Sequence, residues 1–224
     1  MMHHSGRYTP PEPSRADRKI GVVSTGHFTG HLIADDGDHG RVVKVESHLE
    51  MLWAVYLLSL QCVATIVEQV AFNWVDATDK IRTKYFDFVV IRHNGQRLAC
   101  EVKPSVRLVS GQVEAELAQI AAQMTPDFAD GVRLLTEKGL DPISTYNAEM
   151  FMGMREDDPD VDVVALLVIR EFRGAASMAD LTEVIGYGAR GFRALVRLIM
   201  HQILRIERHE RIKPETMVSV WGNS

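Results

Sequence analysis

Two strand-forming runs, 85–91 and 97–102, are joined across an Asn94-Gly95 pair. Asn-Gly between runs of aromatic and β-branched residues is the strongest short-range hairpin signal a sequence carries. An antiparallel pair therefore sits in the middle of this chain. Its first strand, Tyr85-Phe86-Asp87-Phe88-Val89-Val90-Ile91, holds an acid among apolar residues, and a carboxylate there cannot be buried uncompensated. The second strand leads into Cys100-Glu101-Val102-Lys103-Pro104, in which Glu101 and Lys103 are two apart and point to one face. A two-residue loop would pair His93 with Gln96, and so Asp87 with Val102, on the wrong face for Glu101 and Lys103. For the three charged side chains to meet, the loop must hold three or five residues, or a bulge must intervene.

The elements around the hairpin alternate between the two periodicities. Residues 41–45 alternate weakly as a short strand. Ser47 is a good helix N-cap with Glu50 three residues on, and Leu49, Leu52, Trp53, Tyr56, Leu57 and Leu60 follow the spacing of a buried helix face. Residues 63–70 read as a strand, 113–124 as an amphipathic helix, 132–135 as a strand and 145–154 as a helix. Asp158 and Pro159 suit an N-cap and first helical position, opening a helix with Val161, Val164, Ala165, Val168 and Phe172 on one face. Helices over 178–185 and 190–201 follow, then short strands over 203–206 and 217–220. Three short helices followed by two strands is the winged-helix order. Residues 1–19, polar and carrying Pro10, Pro11 and Pro13, read as a flexible tail. Residues 20–31 are a mixed stretch, and 35–38 a turn.

The chain has 224 residues, 46% hydrophobic and 25% charged, which excludes wholesale disorder and collagen-like architecture. No uninterrupted apolar run approaches the roughly 20 residues of a membrane span, and 1–19 lacks the apolar segment of a secretory signal. A cytoplasmic protein is expected, nucleoid-associated when bound to DNA, with no membrane partner. Cys62 and Cys100, the only cysteines, read as a buried pair of free thiols, since no CxxC pair exists. Residues 1–170 hold 17 Lys+Arg against 24 Asp+Glu, whereas 171–213 hold 8 against 5. An acidic body with a basic C-terminal piece fits a second module that meets an anion, nucleic acid being the usual one. The acidic body should bind DNA poorly by itself, so a partner is expected to deliver it.

An acid on one strand and acid-x-lysine on the next match the core of the PD-(D/E)xK nucleases. Two carboxylates can hold Mg²⁺ through hard oxygen ligands; the metal acidifies a water and stabilises charge developing on phosphorus, and the lysine can orient that water or neutralise the transition state. The same trio also reads as a solvated strand face with a salt bridge. Glu50 is either a fourth member or simply the capping-box partner of Ser47. Glu46, one turn earlier, repels it at i, i+4, a strain that a cation would relieve.

The run Val45-Glu46-Ser47-His48-Leu49-Glu50 resembles the ES-x-LE signature of TnsA-type transposon endonucleases, the cutting subunits of heteromeric transposases. The resemblance continues through Val67-Glu68-Gln69, Tyr85-Phe86-Asp87-Phe88, Glu101-Val102-Lys103-Pro104, Leu135-Thr136-Glu137 and Asn147-Ala148, over roughly residues 20–220. It implies that Glu50, Asp87, Glu101 and Lys103 are catalytic, that Glu50 and Asp87 bind metal, and that Glu101 does so or positions the water. Glu68 and Gln69 would lie beside the site. It also implies Mg²⁺ as cofactor, with Mn²⁺ as a substitute, and DNA, a TnsB-like transposase subunit and a TnsC-like ATPase regulator as partners. Where the superfamily often has Pro before the acid, this chain has Phe86.

Arg190, Arg193 and Arg197 fall at i, i+3 and i+7 on one side of the third C-terminal helix. Such a stripe suits phosphate or major-groove contact, a partner surface, or simply a solvated face. Gly186-Tyr187-Gly188-Ala189-Arg190-Gly191 matches GxGxxG, but a helix rather than a strand precedes it, so a helix–helix turn explains the glycines better than a dinucleotide site. The nine histidines lack metal-site context.

The expected architecture is α/β. A tail over 1–19 precedes a restriction-endonuclease-like domain over 20–157, with a mixed sheet flanked by helices. A small winged-helix-like domain over 158–224 follows. The expected activity is metal-dependent hydrolysis of one DNA strand at transposon ends. A free-standing restriction or repair nuclease and a non-catalytic DNA-binding regulator on the same scaffold are the alternatives.

Overall fold

The structure is a computed structural model that describes residues 9–18, 28–35 and 39–222. Residues 1–8 and 19 of the expected tail, 20–27 of the mixed stretch and 36–38 of the expected turn lie outside the described residues. The chain forms two compact units, one through Leu140 and one from Asp141. Among the described residues no helix is long and apolar enough to cross a membrane.

The first unit is mixed α/β. Strands β1 (Gly30–Ala34) and β2 (Arg41–Val45) form an antiparallel pair. Helix α1 (His48–Ser59) follows, then β3 (Val63–Val75), β4 (Ile81–Arg92) and β5 (Arg97–Val102). Helix α2 (Gln112–Gln123) returns the chain to β6 (Gly131–Leu135). The sheet order is β3-β4-β5-β6, antiparallel except for the parallel β5–β6 pair. A parallel pair needs a crossover, and α2 supplies it. Helix α2 buries Leu117 and Ile120 against Phe86 and Ala99, with Phe128 beside Phe72 and Phe86 at ring distances of 4.8 and 6.0 Å. Phe86 therefore anchors the core one residue before Asp87.

Helix α1 begins where the capping pattern placed it. The Ser47 hydroxyl accepts the Glu50 amide at 3.1 Å and donates to the Glu50 carboxylate at 2.8 Å. Its buried side is Glu50, Trp53, Ala54, Val55 and Leu57, so the stripe is rotated from the expected one and carries Glu50 inward. Strands β3 and β4 are longer than their apolar runs. Their outer halves are held by a turn in which the Asp76 carboxylate accepts the Thr78 and Lys80 amides and the Arg82 guanidinium.

Residues 9–18 are not a free tail but a strap. Glu12 bridges Arg41, its amide donating to the Gly40 carbonyl and its carbonyl accepting the Val42 amide. Further along, the Asp17 amide donates to the Gln69 carbonyl at 3.2 Å and its carboxylate accepts the Ala71 amide at 2.8 Å. The strap thus supplies partners to two sheet edges, β2 and β3, that would otherwise carry unpaired backbone groups. Cys100 is buried, whereas Cys62 is exposed in the turn before β3; the cysteines are not a buried pair.

The second unit comprises α3 (Pro142–Met154), α4 (Pro159–Glu171), β7 (Ala175–Ser177), α5 (Met178–Ile185), α6 (Ala189–Met200), β8 (Leu204–Ile206) and β9 (Met217–Val220). Its three strands order as β7-β9-β8. The junction lies ahead of α3, not at the expected 157–158. The reason is Asn147, whose amide donates to the Glu210 carbonyl at 3.0 Å and whose carbonyl accepts the Ile212 amide at 2.9 Å. Met150, Phe151 and Met154 of α3 pack on the same core as Val161, Leu195 and Val218. In the glycine run, Gly186 closes α5 at φ 81° and Gly188 precedes α6 at φ 53°. A side chain at Gly191 would meet Ile185 at 3.2 Å. The run is a tight helix–helix turn.

Candidate active site

The hairpin loop has three residues. The Arg92 amide donates to the Gln96 carbonyl and the Gly95 amide to the Arg92 carbonyl, each at 2.9 Å, enclosing His93, Asn94 and Gly95. Gly95 takes the left-handed conformation, φ 85°, that a three-residue hairpin loop asks of its last residue. The register that follows pairs Phe88 with Cys100 and Ile91 with Arg97, which brings Asp87 level with Glu101. This is the odd loop that a meeting of the three charged side chains requires.

The ladder ends at Phe88, and the Asp87 side chain takes over from it. Asp87 Oδ2 accepts the Val102 amide at 2.7 Å, and Oδ1 accepts the Gln69 side-chain amide at 3.3 Å. Lys103 Nζ lies 2.7 Å from Glu101 Oε1 and 3.9 Å from Asp87 Oδ2. Lys84 Nζ reaches the same Glu101 oxygen at 3.0 Å and Glu116 of α2 at 3.3 Å. The other Glu101 oxygen, Oε2, is buried without a hydrogen-bond partner among the described residues.

Electrostatics couple Glu50 to this group. Burial pushes the Asp87 carboxyl up to about 7, helped by the negative charges of Glu101 and Glu50; Lys103 and the Val102 amide only partly oppose this. Burial also raises Glu50, against the Glu46 amide and the Ser47 hydroxyl that bind its carboxylate. Burial would lower Lys103, but the carboxylates of Asp87, Glu101 and Glu50 together hold its ammonium above the usual range. An acid raised by desolvation and like charge is the signature of a place prepared for a cation or a proton.

Glu68 and Gln69 diverge. Glu68 is fully buried in an ion pair with Arg41, 2.8 Å away and equally buried, and accepts the Ser14 hydroxyl; it serves the core. Gln69, at the unusual φ of 51°, turns its amide to Asp87. Two residues that no sequence motif marks also enter the site. Lys84 lies in the exposed half of β4, outside the apolar run. Arg18 lies in a stretch whose composition reads as tail, and its partners are far away in sequence.

The C-terminal arginines do not form a stripe. Arg197 is buried, paired with Asp162 and donating to the Met154 carbonyl at 3.1 Å. Arg190 makes a two-pronged contact with Asp158, both prongs at 2.7 Å, and lies over the Tyr187 ring. Only Arg193 of the three is exposed with no ion pair among the described residues. Acids on α4 and at its cap claim the other two.

Among the described residues no three His, Cys, Asp or Glu side chains form a ready cage for a metal. Mg²⁺, however, usually takes one or two carboxylates, water and substrate phosphate oxygens rather than an all-protein cage. Asp87 and Glu101, with an unpartnered buried Glu101 oxygen, fit that requirement, and Glu50 adds charge beside them. No known family model matches the chain, and no curated protein matches it either.

Proposed function

We propose that the chain is a metal-dependent DNA endonuclease that hydrolyses one phosphodiester strand. The observation that carries this reading is the three-residue loop, which sets Asp87 level with Glu101 and leaves Lys103 within 3.9 Å of the first and 2.7 Å of the second. In this reading Asp87 and Glu101 hold Mg²⁺, or Mn²⁺ in its place, with Glu50 as the third acid. The metal supplies an acidified water and a positive charge for the phosphorus centre. Lys103 orients the attacking water or steadies the charge on the phosphate. The Val102 amide and Gln69 fix the Asp87 carboxylate in place. The strand order β3-β4-β5-β6, with its α2 crossover, supports a restriction-endonuclease-like identity for the first unit. The order helix, strand, two helices and two strands supports a winged-helix identity for the second.

The order and spacing of the motifs from Glu46-Ser47 to Asn147-Ala148 support a narrower reading, a TnsA-like subunit of a heteromeric transposase. That reading brings a TnsB-like transposase and a TnsC-like ATPase as partners. The acidic body supports delivery of DNA by such a partner. Mn²⁺ calorimetry with a short duplex, on wild type and Asp87→Ala side by side, tests the activity class. Binding in the wild type that vanishes in the variant is the expected result. Equal binding by both, or none by either, overturns the reading.

A further inference from the structure

We infer that Arg18, on the N-terminal strap, is a positioning residue that sets both carboxylate arms of the site. The inference rests on the nuclease reading and extends it to a residue outside the nuclease motifs. Arg18 Nε donates to Gln69 Oε1 at 2.7 Å, and the Gln69 amide nitrogen in turn donates to Asp87 Oδ1 at 3.3 Å. Its Nη2 pairs with the Glu46 carboxylate, and the Glu46 backbone amide donates to Glu50 Oε2 at 2.8 Å. The guanidinium lies over the Tyr85 ring, 5.4 Å from its centre, two residues before Asp87. One side chain therefore touches three segments: β3, whose Gln69 holds Asp87; β4, which carries Asp87; and the lead into α1, which precedes Glu50.

The chemistry gives this arrangement a direction. A glutamine amide can present either its oxygen or its nitrogen to a neighbour. Arginine is a donor only, so it takes the Gln69 oxygen and leaves the nitrogen for Asp87. The reverse orientation would point the amide oxygen at a carboxylate and its nitrogen at a guanidinium. Arg18 thus fixes which way Gln69 faces, and Gln69 fixes an Asp87 oxygen. On the other arm, a cation against Glu46 relieves the repulsion between Glu46 and Glu50, which sit four residues apart. The strap itself is held beside Gln69, by the Asp17 amide on the Gln69 carbonyl and the Asp17 carboxylate on the Ala71 amide. This brace keeps Gln69 at a φ of 51°, a conformation that costs a non-glycine residue free energy. Lysine could not replace Arg18, because one ammonium cannot reproduce a planar fork that serves two acceptors and stacks on a ring.

The test measures Mn²⁺ affinity by calorimetry on the full-length chain, for wild type, Arg18→Ala, Arg18→Lys, Gln69→Leu and the Arg18→Ala/Gln69→Leu double variant. Circular dichroism melts check that each is folded. Partners of this kind around metal ligands change affinity by roughly 10–100-fold, and a loss of that size is expected in Arg18→Ala. Arg18→Lys should not restore it, whereas added guanidinium ion should restore part of it. In the double variant the two losses should not add. Wild-type affinity in Arg18→Ala, or losses that add fully and ignore guanidinium, would overturn the role assigned to Arg18 while leaving the nuclease reading intact. A wild type that binds no Mn²⁺ would overturn both.

Discussion

Asp87 and Val102 are joined across the end of the β4–β5 ladder, the Val102 amide donating to Asp87 Oδ2 at 2.7 Å where a backbone carbonyl would otherwise serve. The aspartate therefore does two things at once. It ends the ladder, and it holds a carboxylate against Glu101 and Lys103 at the point where the strands part.

That position costs stability. Asp87 is desolvated beside Glu101 and Glu50, and its carboxyl is raised to about 7. A carboxyl raised by folding destabilises the native state as pH climbs above the ordinary aspartate range, and the cost is complete once pH passes the raised value. Asp87→Asn keeps the shape and removes the charge. In EDTA at pH 8 the variant should be more stable than wild type by about 1–3 kcal/mol. Raising a carboxyl by one pH unit corresponds to roughly 1.4 kcal/mol, and relaxation absorbs part of it. Paired denaturant melts measure the difference. The same variant should fail to bind Mn²⁺.

The loop length can be challenged directly. Deleting Asn94 leaves a two-residue loop and shifts the pairing by one residue. Every β5 side chain then changes face relative to β4, and Glu101 and Lys103 part from Asp87. Mn²⁺ binding should be lost. A Gly95→Ala change keeps the length but strains a residue at φ 85°, and should cost about 1 kcal/mol with binding retained.

Glu68 belongs to the core. Removing one partner of a fully buried ion pair leaves an uncompensated charge and costs roughly 3–5 kcal/mol. Glu68→Ala should lower the melting temperature accordingly, as should Arg41→Ala. An apolar pair, Arg41→Met with Glu68→Leu, should recover much of the loss. Equal stability of wild type and Glu68→Ala would sink the assignment of Glu68 to the core.

The three arginines of α6 should separate cleanly. Arg197→Ala removes a buried guanidinium from Asp162 and should destabilise the second unit by about 2–4 kcal/mol. Arg193→Ala should leave stability within about 0.5 kcal/mol. If the second unit contacts DNA, Arg193→Ala should weaken binding uniformly across sequences and lower the salt slope by about one. Fluorescence anisotropy across a salt series checks this.

Local chemistry made much of the fold readable. Ser47 with Glu50, Pro159 in the first turn of α4, and Asn94-Gly95 each specify a helix start or a turn through local chemistry, whereas the Asp158 side chain makes no cap and turns to Arg190 instead. The bounds of β5, α5 and β9 follow from short apolar runs with turn residues at their ends. Readings failed where the deciding contact was distant, as in the strap over 9–18, which the Gln69 carbonyl and Ala71 amide hold in place. The buried face of α1 was set by packing rather than by its own periodicity. The unit boundary moved to Leu140 because Asn147 bonds to Glu210 and Ile212. The basic stripe dissolved because Asp158 and Asp162 claim two of its members.

The sequence by itself determined that Asp87 lies in a strand, that Glu101 lies in the next one with Lys103 two residues on at its end, and that Glu50 sits in the first turn of a helix. These follow from periodicity and capping, which act over a few residues. Whether the hairpin loop is odd or even, and which distant cations approach the carboxylates, was decided only in the tertiary structure. Lys84 meets Glu101 across 17 residues and Arg18 meets Gln69 across 51. Long-range ion pairs and buried hydrogen bonds form only once the chain has closed those loops, and no local pattern in the sequence encodes them.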